Sequence, residues 1–211
     1  MAHRAYLLSS SRSPTSFTKF LTFLRAAAAS PRHVGAIAPS SSSLAKIMTA
    51  QITPSMAPVL ELGAGTGVFT QALLSRGVAE SDLILVERDP SLAQLLRERF
   101  PKANVLCCNA AELVDVLREK KPAGAAISGL PLRNMDQAEV QLLLSQAFSC
   151  MRAGSPIFQF TYGLSSPVKS QVMRNLHLEC RKMGSTWRNL PPANVYRLSQ
   201  RLPEHAPANQ R

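Results

Sequence analysis

No aspartate or glutamate occurs in the first sixty residues; Glu61 is the first acid in the chain. No apolar run approaches the ~20 residues that cross a bilayer, and the best candidate, Phe20 to Ala29, carries Arg25. A membrane-spanning bundle is therefore excluded. The four cysteines, Cys107, Cys108, Cys150 and Cys180, form no C-x-x-C pair, and the histidines His3, His33, His177 and His205 do not cluster with them. That pattern suits neither a metal site nor a disulfide framework, and leaves buried thiols in a reducing cytosol. Residues 1–15 lack the long apolar centre of a secretory signal; their Ser- and Arg-rich, acid-free composition is one that organellar transit peptides share. Aromatic residues are few, 6% of the chain with one tryptophan, and there is no internal repeat.

What is present is a basic, evenly apolar chain of 211 residues, with a net charge of +11 and 45% hydrophobic residues. That length suits one domain with a full core plus an appendage. The charge is unevenly placed. Residues 1–60 hold six Lys/Arg, residues 61–121 hold eight bases against nine acids, and residues 122–211 hold ten against four. A basic excess flanking a neutral middle points to an anionic partner, either nucleic acid or a membrane surface, or else serves only solubility.

The pattern divides the chain into a disordered leader (1–15), an N-terminal helical segment (16–57), a cofactor-type domain (58–200) and a polar tail (201–211). In the second part, Phe17, Phe20, Leu21, Leu24 and Ala28 recur on one helical face, with Lys19 and Arg25 elsewhere. Such a face either lies on a membrane or lids the next domain. A second helix is expected over Leu44 to Ile52, capped by a serine from Ser40 to Ser43.

From Val59 the periodicity alternates. Strands are expected at Val59–Leu62, Leu83–Glu87, Asn104–Cys107, Ala125–Ser128 and Ile157–Thr161. Helices are expected at Thr66–Arg76, Pro90–Phe100, Ala111–Lys120 and Asp136–Met151. Alternation of this kind means a parallel sheet covered on both faces, an α/β Rossmann-like fold. Leu176–Met183 and Asn194–Ser199, joined through Trp187 to Pro192, should close it as an antiparallel hairpin.

Four loops at strand ends carry the chemistry. Glu61-Leu62-Gly63-Ala64-Gly65-Thr66-Gly67 follows the first strand, where glycines permit a tight reversal and let a ligand lie against the backbone. The dinucleotide fingerprint requires a third glycine where Val68 stands, so the nicotinamide reading weakens. Glu61 suits a ligand bearing an amine. Glu87 closes the second strand, where a carboxylate accepts from two ribose hydroxyls; the bland alternative is a solvated acid at a helix entry. Asn109, in Cys108-Asn109-Ala110, follows the third strand and could hold an adenine edge. Ser128-Gly129-Leu130-Pro131-Leu132 follows the fourth and should face the acceptor, unless it is only a Gly-Pro turn.

With these words in place the chain resembles the soluble, rhizobial-type bacterial phospholipid N-methyltransferases, similar in fold to the rRNA adenine dimethyltransferases. The likeness runs from about Phe23 to Leu198 and includes Val34 to Ser41, Glu61 to Gly67, Leu85 to Glu87, Ser128 to Leu132, Gln159 to Gly163 and Trp187 to Pro192. It implies a class I fold with a seven-stranded sheet, S-adenosylmethionine as cofactor, and stepwise methylation of phosphatidylethanolamine towards phosphatidylcholine. It also implies an N-terminal helix resting on anionic membrane, hence a cytoplasmic protein peripheral to the inner membrane. Cofactor binding then falls to Glu61, Gly63, Ala64, Gly65, Gly67, Glu87, Arg88, Asn109, Ala110 and Ser128. The acceptor falls to Gly129, Leu130, Pro131, Arg133, Tyr162 and Arg188, with Tyr162 and Ser128 nearest the chemistry and no metal. Asn109 departs from the family's usual aspartate. The alternative is an rRNA adenine N6-methyltransferase, but Ser128 and Leu132 stand where the RNA enzymes carry an asparagine and a stacking aromatic. Nucleic acid is therefore not the expected partner.

Overall fold

A computed structural model of the chain describes residues 39–118, 120–162, 165–187 and 192–201. The expected amphipathic helix from Phe17, the leader, most of the tail and Arg188 lie outside the described residues.

Seven strands form one sheet: β1 (Val59–Leu62), β2 (Leu83–Val86), β3 (Asn104–Leu106), β4 (Ala125–Ser128), β5 (Ile157–Tyr162), β6 (Leu178–Thr186) and β7 (Ala193–Gln200). Their order is β3-β2-β1-β4-β5-β7-β6. β1 to β5 run parallel, and β7 pairs antiparallel with β5 and β6. The Rossmann-like sheet and its closing hairpin match the expectation. The chain reverses its direction of travel between β1 and β4, and such a switch point opens a crevice outside the strands' carboxyl ends.

Among the described residues six helices cover the sheet: α1 (Pro39–Thr49), α2 (Val68–Ser75), α3 (Pro90–Arg99), α4 (Leu113–Leu117), α5 (Gln137–Ser149) and α6 (Ser170–Asn175). Side chains alternate along each strand, so each buried strand feeds two cores. On one face Leu60, Leu62, Val86, Ala126 and Ile157 meet Leu113, Val140, Leu144 and Val172 from α4, α5 and α6. On the other, Val59, Leu83, Leu85, Ile127 and Phe158 meet Leu44, Met48, Leu73, Leu96 and Phe100. Those come from α1, α2, α3 and the end of α3.

Several boundaries differ from the sequence reading. α1 starts at Pro39, not Leu44, so Ser40 to Ser43 lie within its first turns and do not precede it as a cap. Proline is favoured at a helix's first position because its missing N–H has no partner there in any case. The expected helix Ala111–Lys120 is a 3-10 turn, Ala110–Glu112, followed by the short α4. α6 was not anticipated, and β6 begins at Leu178 because Leu176 closes that helix.

Candidate active site

The turn after β1 is built from left-handed backbone at Gly63, Gly65 and Gly67, with φ of 70°, 56° and 79°. Only glycine adopts this region without strain. The turn's amides are used internally. Gly63 and Ala64 donate to Val86 O at 2.8 and 3.2 Å, Gly67 donates to Ala64 O at 2.9 Å, and Gly65 donates to Glu87 Oε2 at 2.9 Å. An anion-binding nest keeps such N–H groups for its ligand. This turn does not, which separates it from a pyrophosphate cradle. Gly67 packs instead: a Cβ there would run into the Phe100 ring.

Glu61 lies on the sheet face that α2 covers and is fully buried. Its Oε2 accepts from Thr70 Oγ1 at 2.7 Å, while Oε1 has no partner. Burial pushes its carboxyl up to about 8; the Thr70 hydrogen bonds oppose this and the neighbouring Glu87 charge adds to it. Burying a carboxylate in low dielectric disfavours its charged form. At neutral pH Glu61 therefore keeps its proton.

Glu87 is nearly buried and braces two loops: Oε2 takes the Gly65 amide and Oε1 the Asp89 amide, each at 2.9 Å. Asp89 in turn caps α3 through the amides of Ser91 and Leu92. Arg88 is exposed beside it. Asn109 is exposed, and its Oδ1 accepts from Ala111 N at 3.1 Å, capping the turn in which Ala110 is buried. Aspartate would cap equally well. Asn109 differs from it in lacking the negative charge and in carrying an amide donor in place of the second acceptor oxygen.

The loop after β4 touches the glycine turn. Gly129 N donates to Leu62 O at 2.8 Å. A Cβ on Gly129 would lie 2.7 Å from Gly63 O, and one on Gly63 would lie 2.7 Å from Leu130 Cδ2. Ser128 is fully buried and its Oγ accepts from Leu130 N at 3.4 Å, so it shapes this loop from beneath. Leu130 O, in the loop expected to face the acceptor, takes two donors: Leu132 N at 3.0 Å and Gln159 Nε2 at 2.9 Å. It is a strut of the loop. Pro131 precedes the short turn Leu132–Asn134, which carries Arg133 outward.

Gln159 was not among the expected site residues. It is fully buried on β5, beside Ser128 in register, and its Nε2 also donates to Phe160 O at 2.7 Å. Strand periodicity gave no hint of this, because its partner carbonyl lies 29 residues earlier. Gln159→Met keeps the volume and removes both donors. We expect the acceptor KM to rise about tenfold, the loss of one or two buried hydrogen bonds at ~1 kcal/mol each. Affinity for the cofactor should stay within twofold. Steady-state kinetics beside titration calorimetry separate the two, and equal losses in both would refute the loop-specific role.

Tyr162 ends β5 on the opposite face from Ser128 and Gln159, the face shared by Glu61 and Phe158. It is partly exposed and stacks edge-on to Phe160, with centroids 5.5 Å apart; Phe160 meets Phe69 of α2 in the same way at 5.9 Å. Arg133 acts electrostatically on Tyr196 of β7: burial and Cys180 push that phenol up, and Arg133 opposes them. A surface cleft of about 610 Å³ lies at the other end of the sheet, between Met56, Gly124, Pro156 and Arg197. Ligands of open α/β sheets sit outside the carboxyl ends, so the two touching loops, and not that cleft, mark the site.

The fold recurs among solved methyltransferases. A TehB-like S-adenosylmethionine-dependent methyltransferase from Corynebacterium glutamicum aligns with a TM-score of 0.60 at 13% identity, covering 90% of this chain and 100% of that one. The 1,6-didemethyltoxoflavin-N1-methyltransferase of Burkholderia thailandensis, solved with S-adenosylhomocysteine, aligns at 0.59 and 15%, covering 92% and 94%. The N-methyltransferase NodS of Bradyrhizobium japonicum, also with S-adenosylhomocysteine, aligns at 0.59 and 12%, covering 87% and 98%. At such identities the likeness is one of fold, and the fold is the Rossmann-like class I methyltransferase architecture. No family model matches the chain. The sequence is 32% identical over 169 residues to the ornithine lipid N-methyltransferase of Singulisphaera acidiphila, across 77% of this chain and 86% of that protein. The chain belongs to the family of that lipid N-methyltransferase.

Proposed function

We propose that the protein methylates the amine of a lipid headgroup, with S-adenosylmethionine as methyl donor. The observation that carries this reading is the contact between the glycine turn and the Ser128–Leu132 loop, which joins a cofactor cradle and an acceptor loop in one crevice. The cofactor fits the residues present. Glu61 holds a buried oxygen without a partner, suited to a cation or its amine. Gly63, Ala64 and Gly65 offer bare backbone with no anion nest, and Glu87, Arg88, Asn109 and Ala110 stand at the next two strand ends for the ribose and adenine. When bound, S-adenosylmethionine supplies an electrophilic methyl group on a sulfonium.

The chain's own residues then position an amine. An alkylammonium, with a pKa of about 10, must lose a proton before it attacks. Tyr162 at the rim would orient the amine or pass on that proton. Gln159 and Ser128 keep Gly129, Leu130 and Pro131 rigid, which is where orientation enters the rate. Arg133, with Arg188, would take the headgroup's anionic group, since guanidinium pairs well with phosphate and carboxylate oxygens. The acceptor loop has no aromatic residue, and Leu132 is buried, so nothing there would stack a flipped base. That favours a lipid over RNA. Among the described residues no helix is long and apolar enough to cross a membrane.

The sequence resemblance implies phosphatidylethanolamine as acceptor, and the relative's name carries an ornithine lipid; both offer a primary amine beside an anionic group. Incubation with labelled S-adenosylmethionine and each lipid, or ribosomal RNA, tests the reading. Label is expected in a lipid fraction, and which lipid takes it distinguishes the two headgroups. Label in RNA alone, or in neither, overturns the proposal.

A further inference from the structure

We infer that the cleft between Arg152 and Arg197, at the amino end of the sheet, is a binding site for a phosphate-bearing anion. It lies at the opposite end from the two touching loops, and it stands whether or not the acceptor is a lipid.

Arg197 of β7 pairs with Phe158 of β5 on one side and with Arg181 of β6 on the other. Residues directly opposite in an antiparallel ladder share a face, and like charges placed so repel. Neither arginine has a carboxylate partner among the described residues. The acid of this hairpin, Glu179, is engaged with Arg201 at 3.1 Å. Arg197 is half-buried, and its Nη1 donates to Ser199 Oγ at 3.3 Å. Its side chain therefore runs along β7 towards the amino end of β5. A second guanidinium stands at that end. Arg152, in the turn before β5, donates from Nη2 to Met56 O at 2.8 Å and to Ala57 O at 3.0 Å. It lies so close over Gly124 that a Cβ there would run into Nη2 and Met56 O. Two carbonyls and a bare glycine fix this guanidinium, and its Nη1 and Nε stay uncommitted among the described residues.

Neutral donors complete the set. Ser155 N closes the turn on Arg152 O at 3.0 Å, while the amides of Ala153 and Gly154 have no acceptor among the described residues. Ala153, Gly154, Ser155 and Gln51 line the cleft with the two arginines, and no acid lines it. Guanidinium groups and backbone N–H groups are what phosphate oxygens pair with. The carboxyl end of α1, at Thr49, offsets about half a charge at most. The rest of the positive charge calls for an anion. A volume of about 610 Å³ suits a small molecule, and Pro156 and Phe158 give it an apolar wall. The occupant is thus a phosphate on a small organic body, either a soluble ester or a lipid headgroup.

Two arms distinguish those sources in the full-length protein. One is calorimetric titration in Tris chloride with inorganic phosphate and with glycerol 3-phosphate. The other is sedimentation with phosphatidylglycerol vesicles. Saturable heat with either solute assigns a soluble ligand; vesicle binding alone assigns a headgroup. In whichever arm binds, Arg197→Gln should weaken binding roughly tenfold, the loss of one charge-assisted contact. Melting curves supply a readout that a structural role would not reproduce. Without phosphate, Arg197→Gln relieves the repulsion from Arg181 and should melt at or above the parent. A solute that binds should then raise the parent's Tm and leave the variant's unchanged. Arg133→Gln, at the acceptor loop, should bind as the parent does, which separates this site from the headgroup contact of the proposed function. The inference is overturned by no binding in either arm, by binding undiminished in Arg197→Gln, or by binding lost equally in Arg133→Gln. It is overturned too if Arg197→Gln melts well below the parent without phosphate, since Arg197 would then be a strut of the hairpin.

Discussion

Gly129→Ala is expected to lower methyl transfer about a hundredfold while leaving a folded protein. Gly129 carries no left-handed φ, so its need for glycine is one of space alone. The added Cβ would lie 2.7 Å from Gly63 O, a backbone atom that cannot swing aside. Carbon and oxygen that close repel steeply, and the β4 loop must withdraw from the β1 turn by several tenths of an ångström. The hydrogen bond from Gly129 N to Leu62 O, 2.8 Å long, would stretch with it. Overpacking of this kind costs about 1–3 kcal/mol, which for a domain of this size lowers Tm by roughly 2–12 °C. A displacement approaching 1 Å between reacting groups costs on the order of 10²-fold in rate. Gly67→Ala is the control. Its Cβ would strike the Phe100 ring with φ at 79°, so stability should suffer first and the loop-to-loop distance least. Melting curves and kcat/KM for both variants decide the matter: activity of Gly129→Ala within threefold of the parent would show that the two loops do not form one site.

Much of this arrangement was legible in the sequence, for a physical reason. β1, β2 and β4 are buried on both faces, so they stand out as short apolar runs between turn residues. Glu61 and Glu87 stand out because acids at the ends of such runs must meet something. The hairpin of β6 and β7 followed from two strand-like stretches close in sequence. What stayed hidden depends on tertiary context. α6, six residues of mixed polarity, has too little periodicity to announce itself and is held by Val172 against the core. The serines after Pro39 have high cap propensity, and the packing of Leu44, Ala45 and Met48 overrides it by extending the helix backwards. The bond from Gln159 Nε2 to the Leu130 carbonyl is hidden for the same reason, since the two residues are neighbours only through the sheet. The roles of Glu61, Gly65 and Glu87 follow the same rule. Their positions could be read from the chain, but not the bond from Gly65 N to Glu87 that ties the first two strand ends together.

Glu61→Gln should separate stability from binding, because the wild-type carboxyl acts on the two in opposite directions. With its ordinary value at 4.5 and its folded value raised to about 8, the native state keeps a proton through that window which the unfolded chain has released. Stability therefore falls as pH rises from about 4.5 to about 8, with the full loss above it; the integrated shift is at most roughly 5 kcal/mol. Glutamine preserves the acceptor for Thr70 Oγ1 and never ionises, so the variant should match the parent near pH 4.5 and exceed it increasingly towards pH 8 and above. Thermal melts across that range give the difference, in which every other titrating group cancels. Binding should move the other way. A cationic ligand group beside Glu61 Oε1 draws the carboxyl into its charged form, so at pH 7 the parent should release close to one proton on taking up S-adenosylmethionine. Its binding heat would then differ between phosphate and Tris buffers by their ionisation enthalpies. Glu61→Gln should lose tenfold or more in affinity, at least one hydrogen bond to a charged partner, and its heat should be the same in both buffers. Equal affinity in parent and variant, with no buffer dependence in either, would mean that the buried acid faces no cation and that the glycine turn holds its ligand by shape alone.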